Sequence, residues 1–268
     1  MTDKGVAIAG LGSIGREVAT WLSTGGHGLA LKAVSSGDDV KVTDWLNGAG
    51  IKVPVVPAGA LSDYAEVIVE AAPPAKFDGI ARPALEAGRT LVVLTSSALL
   101  VHDDLIPLAA ERGGRIIVPS GALLGLDAVV AAAQGEIESV TLVTRKPPRG
   151  LAGAPYLEKE GIDVGEIVEP TCIFRGSARD AALGFPANVN VAVTLSLAGI
   201  GPDRTTVEIW ADPTVERNVH RIDVEADAAR FSMEIEGVPS ANPRTGKLTP
   251  LSTIAALKRL GASLVVGT

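Results

Sequence analysis

A single cysteine in 268 residues leaves no partner for an internal disulfide, and nothing around Cys172 has metal-ligand spacing. A disulfide-stapled scaffold and a cysteine-held metal centre are therefore excluded, and Cys172 reads as a packed thiol in a reducing compartment. Aromatic residues are also scarce, with three Trp, two Tyr and four Phe. The core is left to Val, Leu, Ile and Ala, which suits parallel strands and packed helices. No apolar run approaches the ~18 residues needed to span a bilayer, and no secretory leader pattern precedes the first apolar strand, so a cytoplasmic location is expected and a membrane partner is not. Positive charge is not in excess: the net charge of −7 lacks the basic face that a nucleic-acid partner requires. What the chain has is 47% hydrophobic residues and length enough for two domains.

The first apolar strand runs into glycines and then into a helical pattern, in the stretch VAIAGLGSIGREVA from Val6 to Ala19. Strand, GxGxxG and helix in that order form a dinucleotide-binding fingerprint. Gly10 permits the tight turn, Gly12 lets backbone approach a pyrophosphate, and Gly15 lets the helix pack against the strand. The N–H groups that open the helix, those of Ser13 and Ile14 included, would hold the pyrophosphate, where the helix dipole favours negative charge. NAD or NADP is the expected cofactor. The second strand, Leu29 to Val34, leads into Ser35-Ser36-Gly37-Asp38-Asp39, where an acidic residue usually binds the adenosine ribose. Ser35 stands there instead. Serine can hydrogen-bond either sugar, so the choice between NAD and NADP stays open, as does a plain solvated turn.

Alternation of strand and helix continues with strands at 64–72, 90–95 and 115–118 and helices at 80–87 and 105–112. Small residues from Pro119 to Gly125 then mark a change of organisation. Strands are expected at 137–146, 172–175, 205–211, 218–225 and 230–235, with a loop-rich insertion from Pro147 to about Pro170 and an apolar helix after Asn190. The fold class is α/β: a Rossmann-type doubly wound parallel sheet plus a second α+β domain with an open, mostly antiparallel sheet. The final helix, 249–260, is expected to return to the first domain. This divides the chain into a dinucleotide-binding domain, 1–119 with 241–268, and a substrate and oligomerisation domain, 120–240.

Three histidines are available for acid–base chemistry. His27, in a Gly-Gly-His-Gly turn, reads as a solvated loop residue, and His102, before Asp103-Asp104, as a capping or surface residue. His220 differs. Strand alternation puts it on one side with Ile222 and Val224, so its imidazole faces an apolar interior where it needs a partner. A satisfied core histidine and a catalytic base both fit that pattern.

Four further patterns, PSGALLGLDA (Pro119 to Ala128), FPANVNVA (Phe185 to Ala192), ADPTVERNVH (Ala211 to His220) and NPRTGKLT (Asn242 to Thr249), spread across the chain together with the glycine turn. In that order they resemble the L-aspartate dehydrogenase family. The resemblance implies NAD(P)-dependent oxidative deamination of L-aspartate to iminoaspartate, and thence to oxaloacetate and ammonia, or the reverse, with a link to NAD biosynthesis. It implies that His220 is the active-site histidine; the reference pKa of histidine, near ~6.5, suits proton exchange near neutrality. It also implies that Ala122 and Asn190 contact the cofactor, with Asn188 beside them, and that the protein is a homo-oligomer, expected to be a dimer. Arg244 is a candidate for a substrate carboxylate through its planar guanidinium fork. A reductase of the dihydrodipicolinate-reductase or homoserine-dehydrogenase type and a non-enzymatic NAD(P) sensor are the alternatives.

Overall fold

The structure, a computed structural model, describes residues 3–186, 189–239 and 246–267. By its internal contacts the chain divides into two compact units, residues 1–119 with 250–265 and residues 120–249 with 266–268.

The first unit holds strands β1 (Lys4–Ala9), β2 (Leu29–Ser35), β3 (Val67–Glu70), β4 (Thr90–Val93) and β5 (Arg115–Ile117) in the order β2-β1-β3-β4-β5. All four pairings are parallel. Every residue of β1 from Gly5 to Ala9 is buried, the near-continuous apolar run of a strand covered on both faces. Helices α1 (Ser13–Ser23), α2 (Asp39–Gly48), α3 (Asp78–Glu86), α4 (Ser96–Leu99) and α5 (Leu105–Arg112) make the crossovers. Val18, Ala19 and Leu22 of α1 recur at helical spacing and pack with Val6 and Ile8. The expected strand at 64–72 is shorter, because its first three residues follow a 3₁₀ turn, Ala58–Asp63, and the chain enters the sheet only at Val67. The Ser-Ser-Gly-Asp-Asp stretch is also more than a solvated turn. Asp38 accepts the Lys41 N–H at 3.1 Å and so caps α2, which the polar sequence had concealed.

The second unit carries α6 (Leu126–Ala132), β6 (Ile137–Lys146), α7 (Pro155–Glu160), β7 (Thr171–Ser177), α8 (Ala178–Gly184), α9 (Asn190–Ala198), β8 (Thr205–Ala211), β9 (Val219–Ala226) and β10 (Arg230–Glu236). Its sheet has the order β10-β9-β6-β8-β7. Three pairings are antiparallel, and the central one, β6 with β8, is parallel, so the sheet is mixed at its middle. The insertion after Pro147 is not structureless, since it contains α7. Leu157 of α7, Ala178 and Ala181 of α8, and Ala192 and Leu195 of α9 share one core with Leu142, Ile209 and Ile222 of the sheet.

The last helix, α10 (Leu248–Arg259), buries Leu257 with Val6, Ile8 and Val18 of the first unit. Cys172 is exposed, which corrects its reading as a packed thiol. It lies on β7, an edge strand, where the register shifts between Cys172 and Phe174, and only Ile173 and Phe174 of that strand turn into the core. His27 is likewise not a solvated loop residue: its ring stacks on Trp21 with centroids 4.1 Å apart. His102 stands 3.6 Å from the Asp78 carboxylate, which also binds Arg82, on the surface of α3 and α5.

Candidate active site

In the first unit the glycine turn joins β1 to α1 at the carboxyl edge of the sheet. Gly10 has φ +95°, and a Cβ there would run into the Ala71 carbonyl oxygen. Its N–H donates to the Ser35 carbonyl at 2.8 Å, so the ends of β1 and β2 are tied together. A Cβ on Gly15 would meet the Gly10 carbonyl oxygen, and it stands 3.5 Å from the Ile8 side chain; the helix start can seat against the strand only with glycine there. Gly12 has a different environment. A Cβ on it would touch nothing within 4 Å. No side chain caps α1 and no acidic residue lies in its first turn, so no negative side chain of that turn opposes an anion at the helix start. These are the properties a dinucleotide pyrophosphate requires, so the residues present fit an NAD or NADP cofactor. Ser13 is exposed, Ile14 is half-buried and packs on the sheet core, and Ser35 is buried at the end of β2.

In the second unit His220 lies on β9 and is 3% exposed. Sheet register sets it directly opposite Thr144 of β6, and its Nδ1 is 3.1 Å from the Thr144 hydroxyl. In the tautomer whose Nδ1–H donates to that hydroxyl, Nε2 keeps its lone pair for a proton. Two residues along β6, Lys146 falls on the same face and is 6% exposed. Burial, and then the Lys146 charge, push the His220 imidazole down from 6.5 to about 3. Burial likewise brings the Lys146 ammonium down to about 8. His220 is therefore a neutral imidazole throughout the physiological range. The reference value near ~6.5 does not survive folding, because an apolar interior disfavours the imidazolium and a neighbouring cation disfavours it again.

The connection from β8 to β9, which delivers His220, is held by Asp212, the first residue after β8. Its carboxylate accepts the Thr214 hydroxyl at 2.6 Å, the Thr214 N–H at 2.9 Å and the Arg145 guanidinium at 3.0 Å. Burial alone would raise its pKa, yet the bonds from Thr214 and Arg145 hold it below the usual carboxylate range. The Asp212 N–H donates to the Lys146 carbonyl at 2.8 Å, which fixes the start of the turn to the end of β6.

His220 thus bonds Thr144 and feels the charge of Lys146, neither of which sequence reasoning had singled out. The alternation Leu142, Thr144, Lys146 was available as a signal, but only the pairing of β6 with β9 shows that it points at the histidine. Ala122 is half-buried in the turn Ser120–Leu123, and Asn190 opens α9; both belong to the second unit with His220, whereas the glycines and Ser35 belong to the first. Asn188 and Arg244 lie outside the described residues.

Comparison with known proteins decides the family. A family model described as the C-terminal region of aspartate dehydrogenase matches residues 127–260, and the chain is 55% identical over 98% of its length to an L-aspartate dehydrogenase of Bradyrhizobium diazoefficiens, covering 94% of that protein. The chain belongs to the aspartate dehydrogenase family. A second family relative, L-aspartate dehydrogenase 3 of Bordetella bronchiseptica, is 49% identical over 99% of this chain and 98% of its own. Residues 10–119 match a family model described as the NAD-binding domain of homoserine dehydrogenase. The crystal structure of aspartate dehydrogenase from Thermotoga maritima superposes with a TM-score of 0.72 at 23% identity, covering 98% of this chain and 99% of that one, a likeness of fold. As an aspartate dehydrogenase family member the chain is an oxidoreductase whose cofactor is NAD or NADP.

Proposed function

We propose that this enzyme oxidatively deaminates L-aspartate with NAD or NADP, giving iminoaspartate and then oxaloacetate and ammonia, and that it also runs the reverse amination. Iminoaspartate released from the site is available to NAD biosynthesis. Full-length likeness to proteins named L-aspartate dehydrogenase supports the substrate. The observation that carries the mechanism is the neutral buried imidazole of His220, backed by Thr144 and electrostatically coupled to Lys146.

In this reading the first turn of α1, with Gly10, Gly12, Ser13, Ile14 and Gly15, holds the pyrophosphate, Ser35 meets the adenosine ribose, and Ala122 and Asn190, with Asn188, contact the cofactor. The cofactor's chemistry is acceptance of a hydride from the substrate α-carbon. His220 takes the proton that the amine must lose as the C=N bond forms. A base with a pKa near 3 is weak in the unliganded protein. The two carboxylates of aspartate supply negative charge, which offsets the Lys146 ammonium and raises the imidazole toward the working range. Once that proton has passed to solvent, the same Nε2 is free to accept a proton from the water that attacks the imine. We read the protein as a cytoplasmic homodimer acting on free aspartate.

A panel of amino acids tested with each nucleotide, followed by nicotinamide absorbance, checks the substrate. Aspartate alone among the common amino acids is expected to give strong turnover. Preference for another amino acid, or nucleotide binding with no turnover of any, overturns the reading.

A further inference from the structure

Glu70 is the last residue of β3 and is completely buried, although the mechanism assigns it no task. The residues before it, Val67, Ile68 and Val69, are apolar, as the centre of a parallel sheet demands. A carboxylate in that position is unfavourable unless its oxygens are hydrogen-bonded. Here both are. Oε1 accepts the Ala72 N–H at 2.9 Å and lies 3.0 Å from the Thr95 hydroxyl, and Oε2 accepts the Thr95 N–H at 3.0 Å. The Thr95 hydroxyl also lies 3.1 Å from the Ala72 carbonyl, which closes a ring of contacts between the loop after β3 and the turn after β4.

That ring borders the glycine turn. Gly10 faces Ala71 and Ala72 so closely that a Cβ there would stand 2.9 Å from the Ala72 nitrogen, the same N–H that Glu70 binds. The Ala71 N–H in turn donates to the Ala9 carbonyl at 2.8 Å. The backbone against which the phosphate-binding turn rests is consequently tied by Glu70 to the turn after β4. Desolvation pushes the Glu70 carboxyl upward and the bonds from Thr95 and Ala72 oppose it.

We propose that Glu70 is a positioning residue for the nucleotide cofactor, tying the loop after β3 and the turn after β4 into one wall that sets the backbone of the Gly10 turn. The proposal rests on the NAD or NADP reading of that turn. In Glu70→Gln the side chain keeps its shape, but its amide NH₂ must face a backbone N–H, either that of Ala72 or that of Thr95. One charge-assisted bond is lost and two donors oppose each other.

The test is titration of the purified enzyme with NADH and NADPH by fluorescence, alongside steady-state kinetics. Glu70→Gln is expected to bind nucleotide about tenfold more weakly, with the cofactor KM raised in parallel and kcat at saturation within about twofold of wild type. Thr95→Val, which removes the hydroxyl and keeps the N–H, is expected to weaken binding in the same direction, and Thr95→Ser to restore it. Should Glu70→Gln fail to fold, the two Thr95 variants decide. Nucleotide affinity equal to wild type in folded Glu70→Gln, or in Thr95→Val where Glu70→Gln does not fold, overturns the proposal even if the melting temperature falls. A wild-type enzyme that binds neither nucleotide overturns the cofactor reading and the proposal with it.

Discussion

Thr144 Oγ1 and His220 Nδ1 stand 3.1 Å apart across the β6–β9 pairing, 76 residues apart in the chain and both buried. This contact orients the imidazole, and which of the two atoms donates follows from the tautomer. Replacing Thr144 by Val keeps the volume and removes the hydrogen bond, so kcat is expected to fall about tenfold, the order of one lost hydrogen bond. Thr144→Ser keeps the hydroxyl and should lose far less. Equal kcat for Thr144→Val and wild type would show that the ring is oriented by packing alone.

Lys146 acts on His220 through its charge. The Lys146→Met variant removes the cation and fills the same space, so the His220 imidazole should titrate above the value of about 3 that it has beside Lys146. Histidine NMR through a pH titration reads this directly. An unmoved His220 resonance would mean that burial accounts for the whole depression.

Stability should follow pH in two windows with signs fixed by these shifts. His220 has a folded pKa below its unfolded value, about 3 against 6.5, so the unfolded chain binds the extra proton and stability is lost as pH falls from 6.5 toward 3. Lys146 is also depressed, about 8 against 10.5. Its unfolded form again binds more proton between those values, and stability rises as pH rises through that window. Thermal melting of wild type and Lys146→Met across pH 7.5 to 10.5 checks the sign, since the variant should lose the rise. A wild-type curve that falls there no more gently than that of Lys146→Met contradicts it.

Gly10 and Gly12 should separate folding from binding. A Cβ at Gly10 meets the Ala71 carbonyl in a backbone with φ +95°, so Gly10→Ala is expected to lower the melting temperature as well as cofactor affinity. A Cβ at Gly12 meets no protein atom within 4 Å. Gly12→Ala should therefore melt close to wild type while binding nucleotide at least about tenfold more weakly, because the methyl takes space the pyrophosphate needs. Normal nucleotide affinity in Gly12→Ala would remove the phosphate from that turn.

The parallel sheet and the inward face of β9 were legible because they rest on local patterns. Continuous apolar runs such as Val6 to Ala9 announce buried strands, and alternation over His220, Ile222 and Val224 announces a half-buried one. Less legible was whatever depends on pairing between distant segments. Thr144 and Lys146 look like ordinary strand residues until β6 is set beside β9, and the fall of the His220 pKa comes first from burial and then from the Lys146 charge that this register brings alongside. Glu70 was hidden for a related reason, since a carboxylate ending an apolar strand gains meaning only once Thr95 and Ala72 are seen around it. Asp38 misled through its polarity, being a helix cap within a stretch that also reads as a solvated turn. Cys172 misled through the habit of cysteine to be buried, which an edge strand does not enforce.

The proposed role of His220 is tested most directly by aspartate-dependent reduction of NAD or NADP in wild type and His220→Ala, with nucleotide affinity measured on both. The expected result is robust turnover by wild type, a loss of ~10²-fold or more in kcat for His220→Ala, and unchanged nucleotide binding. Wild-type kcat in a folded His220→Ala enzyme would contradict it.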